Sequence, residues 1–535
     1  MTLRIVQAQL NFRVGDIAYN LQKHRDAIKK ALELKADAIL FSELSLTGYP
    51  PEDLLLRPEF IKETQHSLEE LAKETPDIYC IVGHPLLIES WLYNACSVLL
   101  NGKIITQYQK QCLPNYGVFD EARYFSPGKS TCLFSLRDIP TSIIICEDLW
   151  KLEPSEKAKH KGAKLLLVPN ASPFEINKHE KRFEIITKRA KKHKFSIIYV
   201  NQITGQDELV FDGGSMVVNA KGELCHLAKH CEEELSVIDI DVNGNISAQK
   251  TITPPQTLTR IYNVLTLGLR DYVQKNHFKS VIIGVSGGID SALTLALAVD
   301  ALGKENVYAL VMPSRYTASI SLEDAEILIK NLDVKSETLS IEPTYQAMLE
   351  TLKTSFAHTK SDVTEENIQA RIRGMLLMSL SNKFGSLVLT TGNRSEIAVG
   401  YCTLYGDMVG GYAVLKNIPK TLVYALSHYR NQISSVIPER ILTRAPTAEL
   451  APNQTDQDVL PPYDILDAIL EAYINQSKSS QEIIDKGFDA ATVNRVIKMI
   501  KGSEYKRKQS AIGPHVDNKS FIKDWRYPVT NGYKG

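Results

Sequence analysis

The chain of 535 residues lacks any excess of charge, its 62 Lys and Arg being matched by 62 Asp and Glu. That balance removes the global electrostatic reason to expect a binder of nucleic acid or of anionic membranes, so neither partner is expected. No run approaches the ~18 consecutive apolar residues of a membrane-spanning helix. Residues Met1 to Leu10 are interrupted by Arg4, Gln7 and Gln9, unlike the unbroken apolar centre of a secretory signal. A soluble, cytoplasmic protein is expected. Cysteine is sparse: the eight residues (80, 96, 112, 132, 146, 225, 231 and 402) form no C-x-x-C pair and no Cys/His metal spacing, so free thiols are expected. Also absent is the G-x-x-x-x-G-K-[ST] string of a Walker A loop, which disfavours γ-phosphate transfer. Disorder is excluded for most of the chain, whose 44% hydrophobic residues suffice for sizeable cores.

What is present is an α/β rhythm. In the first half, β-branched runs such as Asp37–Phe41, Ile78–Val82, Ser142–Cys146, Lys164–Val168 and Ser196–Val200 read as strands buried on both faces, and the charged stretch Lys178–Lys194 as an exposed covering helix. This half closes with a strand at Ser236–Val242. Turn chemistry at Asn243-Gly-Asn245 and the prolines of Thr251–Gln256 follow, which places a first domain at 1–245, a linker at 246–257 and a second domain at 258–535. The second half opens with a helix from Thr257 to Asn276, a strand at Ser280–Val285, a Gly-rich turn, a helix at Ala292–Ala301 and a strand at Asn306–Met312. That is a β-loop-α-β unit of an open parallel sheet, with ligand expected at the strand's C-terminal end. Only Arg394 to Lys420, with four glycines, resists a helix or strand assignment. It is expected to be a long loop, acting as a lid that orders over ligand.

Two sets of residues carry chemistry. Ser286-Gly-Gly-Ile-Asp-Ser291 lies where strand becomes helix, where glycines admit backbone N–H groups to a phosphate chain and the helix start supplies positive potential; Asp290 is placed to hold Mg2+ on ATP oxygens. In the first half Glu43 and Cys146 sit at strand ends, and Lys110 precedes Gln111-Cys-Leu-Pro114. A carboxylate base, an oxyanion-stabilising ammonium and a thiol nucleophile together make amide-hydrolysing acyl transfer.

Glu43, Lys110 and Cys146, in that order, resemble the Glu-Lys-Cys triad of the nitrilase (carbon–nitrogen hydrolase) superfamily, and Ser286–Ser291 resembles the pyrophosphate loop of the ATP-pyrophosphatase (N-type) amidating enzymes. The combination resembles the glutamine-dependent NAD+ synthetase family, with further matching strings at Gly48–Asp53, Leu113–Glu121, Asn170–Phe174, Thr391–Glu396, Tyr405–Asp407, Ala448–Asp458 and Tyr505–Lys508. The resemblance implies a nitrilase-like α-β-β-α sandwich followed by a Rossmann-like parallel-sheet domain. It implies a ligase that adenylates deamido-NAD+ with ATP, requires Mg2+, amidates with ammonia drawn from glutamine, and assembles as a homo-oligomer.

Roles follow residue by residue. Tyr116, Ser172 and Lys178 match glutamine-binding positions. Ser286, Gly287, Gly288, Ile289, Asp290, Ser291 and Thr391 match ATP positions, and Asp290 and Glu396 the Mg2+ site. Asn367, Glu396 and Lys506 match deamido-NAD+ positions, and Arg371 and Lys420 cationic positions near the phosphates. Glu121 and Glu147 stand between two roles, holding the α-amino group or tuning the triad. Arg371 and Arg373, and the cluster Lys506–Lys508, also suit solvated surface charge. Two rivals are another pyrophosphate-loop amidotransferase and a non-catalytic nucleotide binder. The first lacks its usual glutaminase strings here, Thr2 standing where an N-terminal-nucleophile enzyme exposes cysteine; Cys146, Lys110 and Asp290 speak against the second.

Overall fold

The computed structural model describes residues 2–247 and 254–533, apart from 453, 518 and 522. It divides into two units, Met1–Arg260 and Ile261–Gly535. Of the linker expected at 246–257, residues 248–253 lie outside the described residues.

The first unit is built on two six-stranded sheets. One runs Glu234–Ile240, Leu3–Gln9, Ala38–Leu40, Tyr79–Ile88, Trp91–Leu100, Lys103–Gln109; the other Leu224–Leu227, Met216–Val218, Ser196–Asn201, Leu165–Asn170, Ile139–Ile143, Cys132–Leu136. Period-two alternation sends Leu3, Ile5, Leu40 and Ile81 of the first sheet into one core with Leu166, Ile198 and Met216 of the second. Val6, Ala8 and Ile39, on the opposite face, pack under the helices Ile17–Glu33 and Pro58–Glu74 through Leu21, Ile28, Leu68 and Leu71. Ile186 and Ala190 of the helix Lys178–His193 join the inter-sheet cluster from the far side, which completes an α-β-β-α sandwich. Gln7 and Gln9, which interrupt the first strand in sequence, are fully buried and bridge the sheets. Gln7 Nε2 donates to Tyr199 O at 2.8 Å, and Ser215 Oγ donates to Gln9 Oε1 at 2.8 Å.

The second unit holds a five-stranded parallel sheet in the order Lys335–Thr338, Val307–Val311, Val281–Gly284, Leu387–Thr390, Tyr412–Ala413. The helix Ile289–Leu302 begins directly after the central strand and buries Leu293, Leu295, Ala296 and Leu297. The sheet's C-terminal edge therefore presents the Gly-rich turn, as a doubly wound fold requires.

The reading of 394–420 as a structureless lid is corrected. Arg394–Val399 is a helix whose N-cap, Asn393, accepts from Glu396 N at 3.1 Å, and Tyr412–Ala413 adds a strand beside Leu387–Thr390. Residues 412–418 are all buried. The glycines serve close packing. A Cβ on Gly410 would stand 2.5 Å from Thr390 Cγ2, and one on Gly411 2.3 Å from Leu387 Cδ1. Six helical and two strand residues are too short for periodicity to register. Because burial of 412–418 denies a protease an extended site, the ligand-free protein is expected to resist cleavage there under limited proteolysis. Mass spectrometry of the fragments checks this, and early cuts within 412–418 would contradict it.

Candidate active sites

In the first unit the triad residues come together from three strand ends. Lys110 follows the strand Lys103–Gln109 and is fully buried; its Nζ donates to Glu43 Oε1 at 2.6 Å and to Glu121 Oε1 at 2.8 Å. Glu43 also accepts from Asn94 Nδ2 at 2.7 Å and from the Ala171 amide at 3.0 Å, and Tyr49 OH donates to Glu121 at 2.8 Å. Burial pushes the Glu43 carboxyl up to about 7 even against the pull of Lys110. Burial opposes charge on Lys110, but Glu121 and Glu43 more than reverse this and hold the ammonium well above its ordinary value.

Cys146 ends its strand differently from the sequence expectation. Regular strand stops at Ile143, although Cys146 N still donates to Pro169 O at 3.1 Å; the residue then takes φ +46°, a conformation a non-glycine side chain adopts only under tight constraint. Burial and the charge of Glu43 push its thiol well above the ordinary cysteine value. A thiol so placed can act as a nucleophile only where a proton acceptor removes its proton.

Asp148, which sequence reasoning missed although it lies two residues from Cys146, constrains both loops. One carboxylate oxygen accepts from the Gln111 and Cys112 amides at 3.1 and 2.7 Å, the other from Tyr108 OH at 2.7 Å and the Ile145 amide at 3.1 Å. A second missed residue is Arg182, hidden in the stretch read as a solvated helix. It is fully buried and donates to Ser172 Oγ and O at 3.1 and 2.6 Å and to Asp212 at 2.8 Å. Of the positions matched to glutamine, Ser172 is thus fixed from behind, Tyr116 OH donates to Glu147 at 2.8 Å, and Lys178 pairs with Glu175 at 3.0 Å.

In the second unit a cavity of about 290 Å³ lies over the sheet's C-terminal edge. Ser286 to Ser291, Thr391, Glu396 and Lys420 all line it. Gly287 is required by geometry, with φ +81° and a hypothetical Cβ 2.2 Å from Ser321 O. Lys420 is buried and bridges two carboxylates, Asp290 Oδ2 at 2.5 Å and Glu396 Oε1 at 3.1 Å; Asn393 Nδ2 donates to the other Asp290 oxygen at 2.8 Å. Burial pushes the Glu396 carboxyl up to about 7. Among the described residues no cluster of three or more His, Cys, Asp or Glu has metal-binding geometry. Asp290 and Glu396 nevertheless reach one cationic point, and two hard oxygen donors completed by phosphate oxygens and water suit Mg2+.

Asn367, Arg371 and Lys506 do not line this cavity but gather around one turn beside it. Thr403 Oγ1 donates to Asn367 Oδ1 at 2.7 Å, Arg371 Nε donates to Leu404 O at 3.3 Å, and Lys506 Nζ donates to Gly400 O and Cys402 O at 2.8 and 2.7 Å. Arg371 is exposed, whereas Arg373 lines the cavity, donates to Met312 O at 3.0 Å, and has its guanidinium lowered to about 10 by burial. Two residues apart on a helix, they point to opposite sides. Cys80, Cys96, Cys112, Cys132, Cys146, Cys225 and Cys402 are free thiols, and no helix among the described residues is long and apolar enough to cross a membrane.

Comparison with known proteins agrees with this two-site architecture. Residues 2–250 match the carbon–nitrogen hydrolase family model and residues 261–510 the NAD synthase model. The chain is 46% identical over 539 residues to the glutamine-dependent NAD(+) synthetase of Acinetobacter baylyi, covering 100% of this chain and 99% of the relative. It is 44% identical to that of Thermotoga maritima over 99% of both chains. Among solved structures, the glutamine-dependent NAD+ synthetase of Acinetobacter baumannii in complex with ADP superposes with a TM-score of 0.82 at 42% identity over 99% of each chain. A Cytophaga hutchinsonii structure, at 22% identity and TM-score 0.86, shares the fold.

The raised Glu43 carboxyl has a measurable consequence. If Glu43 serves as the base for amide hydrolysis at Cys146, hydrolysis is expected to fall as pH drops through about 7, where Glu43 takes up its proton. The pH profile of kcat/KM for glutamate release from glutamine tests this; an acid limb near 4.5, the ordinary carboxyl value, would contradict it.

Proposed function

The chain belongs to the glutamine-dependent NAD(+) synthetase family, ligases that use ATP and glutamine to convert deamido-NAD+ to NAD+, and from that premise we propose how its residues divide the work. The observation that supports the division is that each unit carries its own buried lysine between two carboxylates, one beside a thiol and the other beside a phosphate-binding turn.

Glutamine is hydrolysed in the first unit. Tyr116, Ser172 and Lys178 orient it, and Glu43 accepts the Cys146 proton as sulfur attacks the side-chain carbonyl. Lys110 stabilises the oxyanion, and Glu43 returns the proton to the departing ammonia. Water then attacks the thioester, and glutamate leaves. A thiol this deeply buried is a poor nucleophile unaided, which makes the carboxylate's position decisive.

NAD+ is made in the second unit. The amides of Ser286–Ser291 and the helix start behind them hold the ATP phosphates, with Thr391 at their flank. Asn367, Glu396 and Lys506 hold deamido-NAD+, and Arg371 and Lys420 offset phosphate charge. The nicotinate carboxylate attacks the α-phosphorus and pyrophosphate leaves; ammonia then attacks the acyl carbon and AMP leaves with the carboxylate oxygen. Asp290 and Glu396 would hold Mg2+, which when bound neutralises the phosphate chain.

Two substitutions separate the sites. Cys146→Ala is expected to lower glutamine-driven NAD+ formation by on the order of 10³-fold or more while ammonium-driven formation stays within about twofold. Failure of ammonium to support synthesis in a variant with unchanged circular dichroism would contradict the division. Asp290→Asn is expected to lower synthesis from both nitrogen sources alike, by on the order of tenfold or more, and to raise the Mg2+ concentration for half-maximal rate. Unchanged ammonium-driven turnover would contradict it.

A further inference from the structure

The Glu175–Lys178 pair lies just beyond Ser172, at the start of the helix Lys178–His193. Its 3.0 Å separation joins two side chains only 18% and 15% exposed, and Lys178 Nζ lies 5.5 Å above the Trp150 ring. Glu175 also acts electrostatically on the Tyr116 hydroxyl, which feels Glu147 and Cys146 as well, and on the Arg182 guanidinium, which is bonded to Ser172. A solvated pair three residues apart contributes too little to explain withdrawing both charges from water. Burial costs desolvation that one contact offsets poorly. Such a pair suits a ligand that carries both charges itself.

We propose that Glu175 is a specificity-determining residue for the amino-acid substrate. The Glu175–Lys178 pair opens to admit a zwitterion, whose α-carboxylate replaces Glu175 on Lys178 and whose α-ammonium replaces Lys178 on Glu175. This rests on the reading of Lys178 as the carboxylate-binding residue. Partner exchange keeps both side chains charged and paired before and after binding, so the buried charges are never left uncompensated. Glu147, the other carboxylate in reach, is already held by Tyr116 OH at 2.8 Å and faces Lys151 at 3.7 Å. An amide that lacks the α-ammonium strands Glu175 without a partner, and rejection follows from that cost rather than from steric exclusion.

Glutaramate, which is glutamine without its α-amino group, isolates the effect. Carboxylate release from the side-chain amide is measured for L-glutamine and glutaramate with the full-length enzyme and with Glu175→Gln. The unsubstituted enzyme is expected to prefer glutamine by on the order of tenfold or more in kcat/KM. Glu175→Gln is expected to lose most of that preference through a raised KM for glutamine, with kcat/KM for glutaramate equal or higher. An equal fall on both substrates would make Glu175 merely structural and overturn the proposal. So would retained preference in Glu175→Gln, or loss of preference in Glu147→Gln alone. Lys178→Met tests the underlying reading separately, because both substrates keep the carboxylate. It is expected to weaken both, and no effect on either would overturn the Lys178 assignment whatever Glu175→Gln does.

Discussion

In each unit a lysine ammonium is sunk between two carboxylates, and much of the surrounding polar structure exists to keep it there. Lys110 is fully buried and Lys420 only 2% exposed. Desolvating such groups is costly unless every charge is paired and its remaining lone pairs are bonded. The structure meets that demand with Asn94, Tyr49 and the Ala171 amide around the first cluster and with Asn393 and Tyr463 around the second. Burial has a useful consequence. Together with a smaller push from the neighbouring carboxylate, it raises Glu43 and Glu396 to about 7, where a carboxyl changes protonation readily near neutral pH.

Backbone constraint turns these clusters into directed sites. Cys146 at φ +46° leaves the sheet abruptly, and the Asp148 carboxylate ties that departure to the amides of Gln111 and Cys112, just beyond Lys110. The segments that carry Cys146 and Lys110 are thereby tied together by one carboxylate, which bonds to their neighbours Ile145, Gln111 and Cys112. In the second unit the close approach of Gly287 to Ser321 O sets the turn, and hydroxyls stitch it closed: Ser291 Oγ donates to Gly288 O at 2.9 Å and stands 3.2 Å from Ser286 Oγ. In both units preorganisation is supplied by second-layer groups that cost nothing to rearrange during reaction.

The layers of the fold were legible because buried strands write themselves as β-branched runs, and the meeting of Glu43 with Lys110 was legible because Glu43, Lys110, Cys146 and the Ser286–Ser291 turn all fall at strand ends. Polar residues were misread where they serve inside. Gln7 and Gln9 looked like breaks in a strand but satisfy backbone groups of the facing sheet. Arg182 looked like one cation of a solvated helix, yet four acceptors close around it. The segment 394–420 looked irregular because its helix is six residues long and its glycines permit contact with a neighbouring strand. Local sequence carries periodicity and turn chemistry; it does not carry which acceptors a distant strand will bring to a side chain.

If the buried lysines are what charge each site, replacing them must separate the reactions. The most direct measurement is NAD+ formation by Lys110→Met and by Lys420→Met, each assayed with glutamine and with ammonium. Lys110→Met is expected to lose the glutamine-driven rate and keep the ammonium-driven one, while Lys420→Met loses both. An undiminished ammonium-driven rate in Lys420→Met, or loss of both rates in a Lys110→Met protein with unchanged circular dichroism, would contradict this.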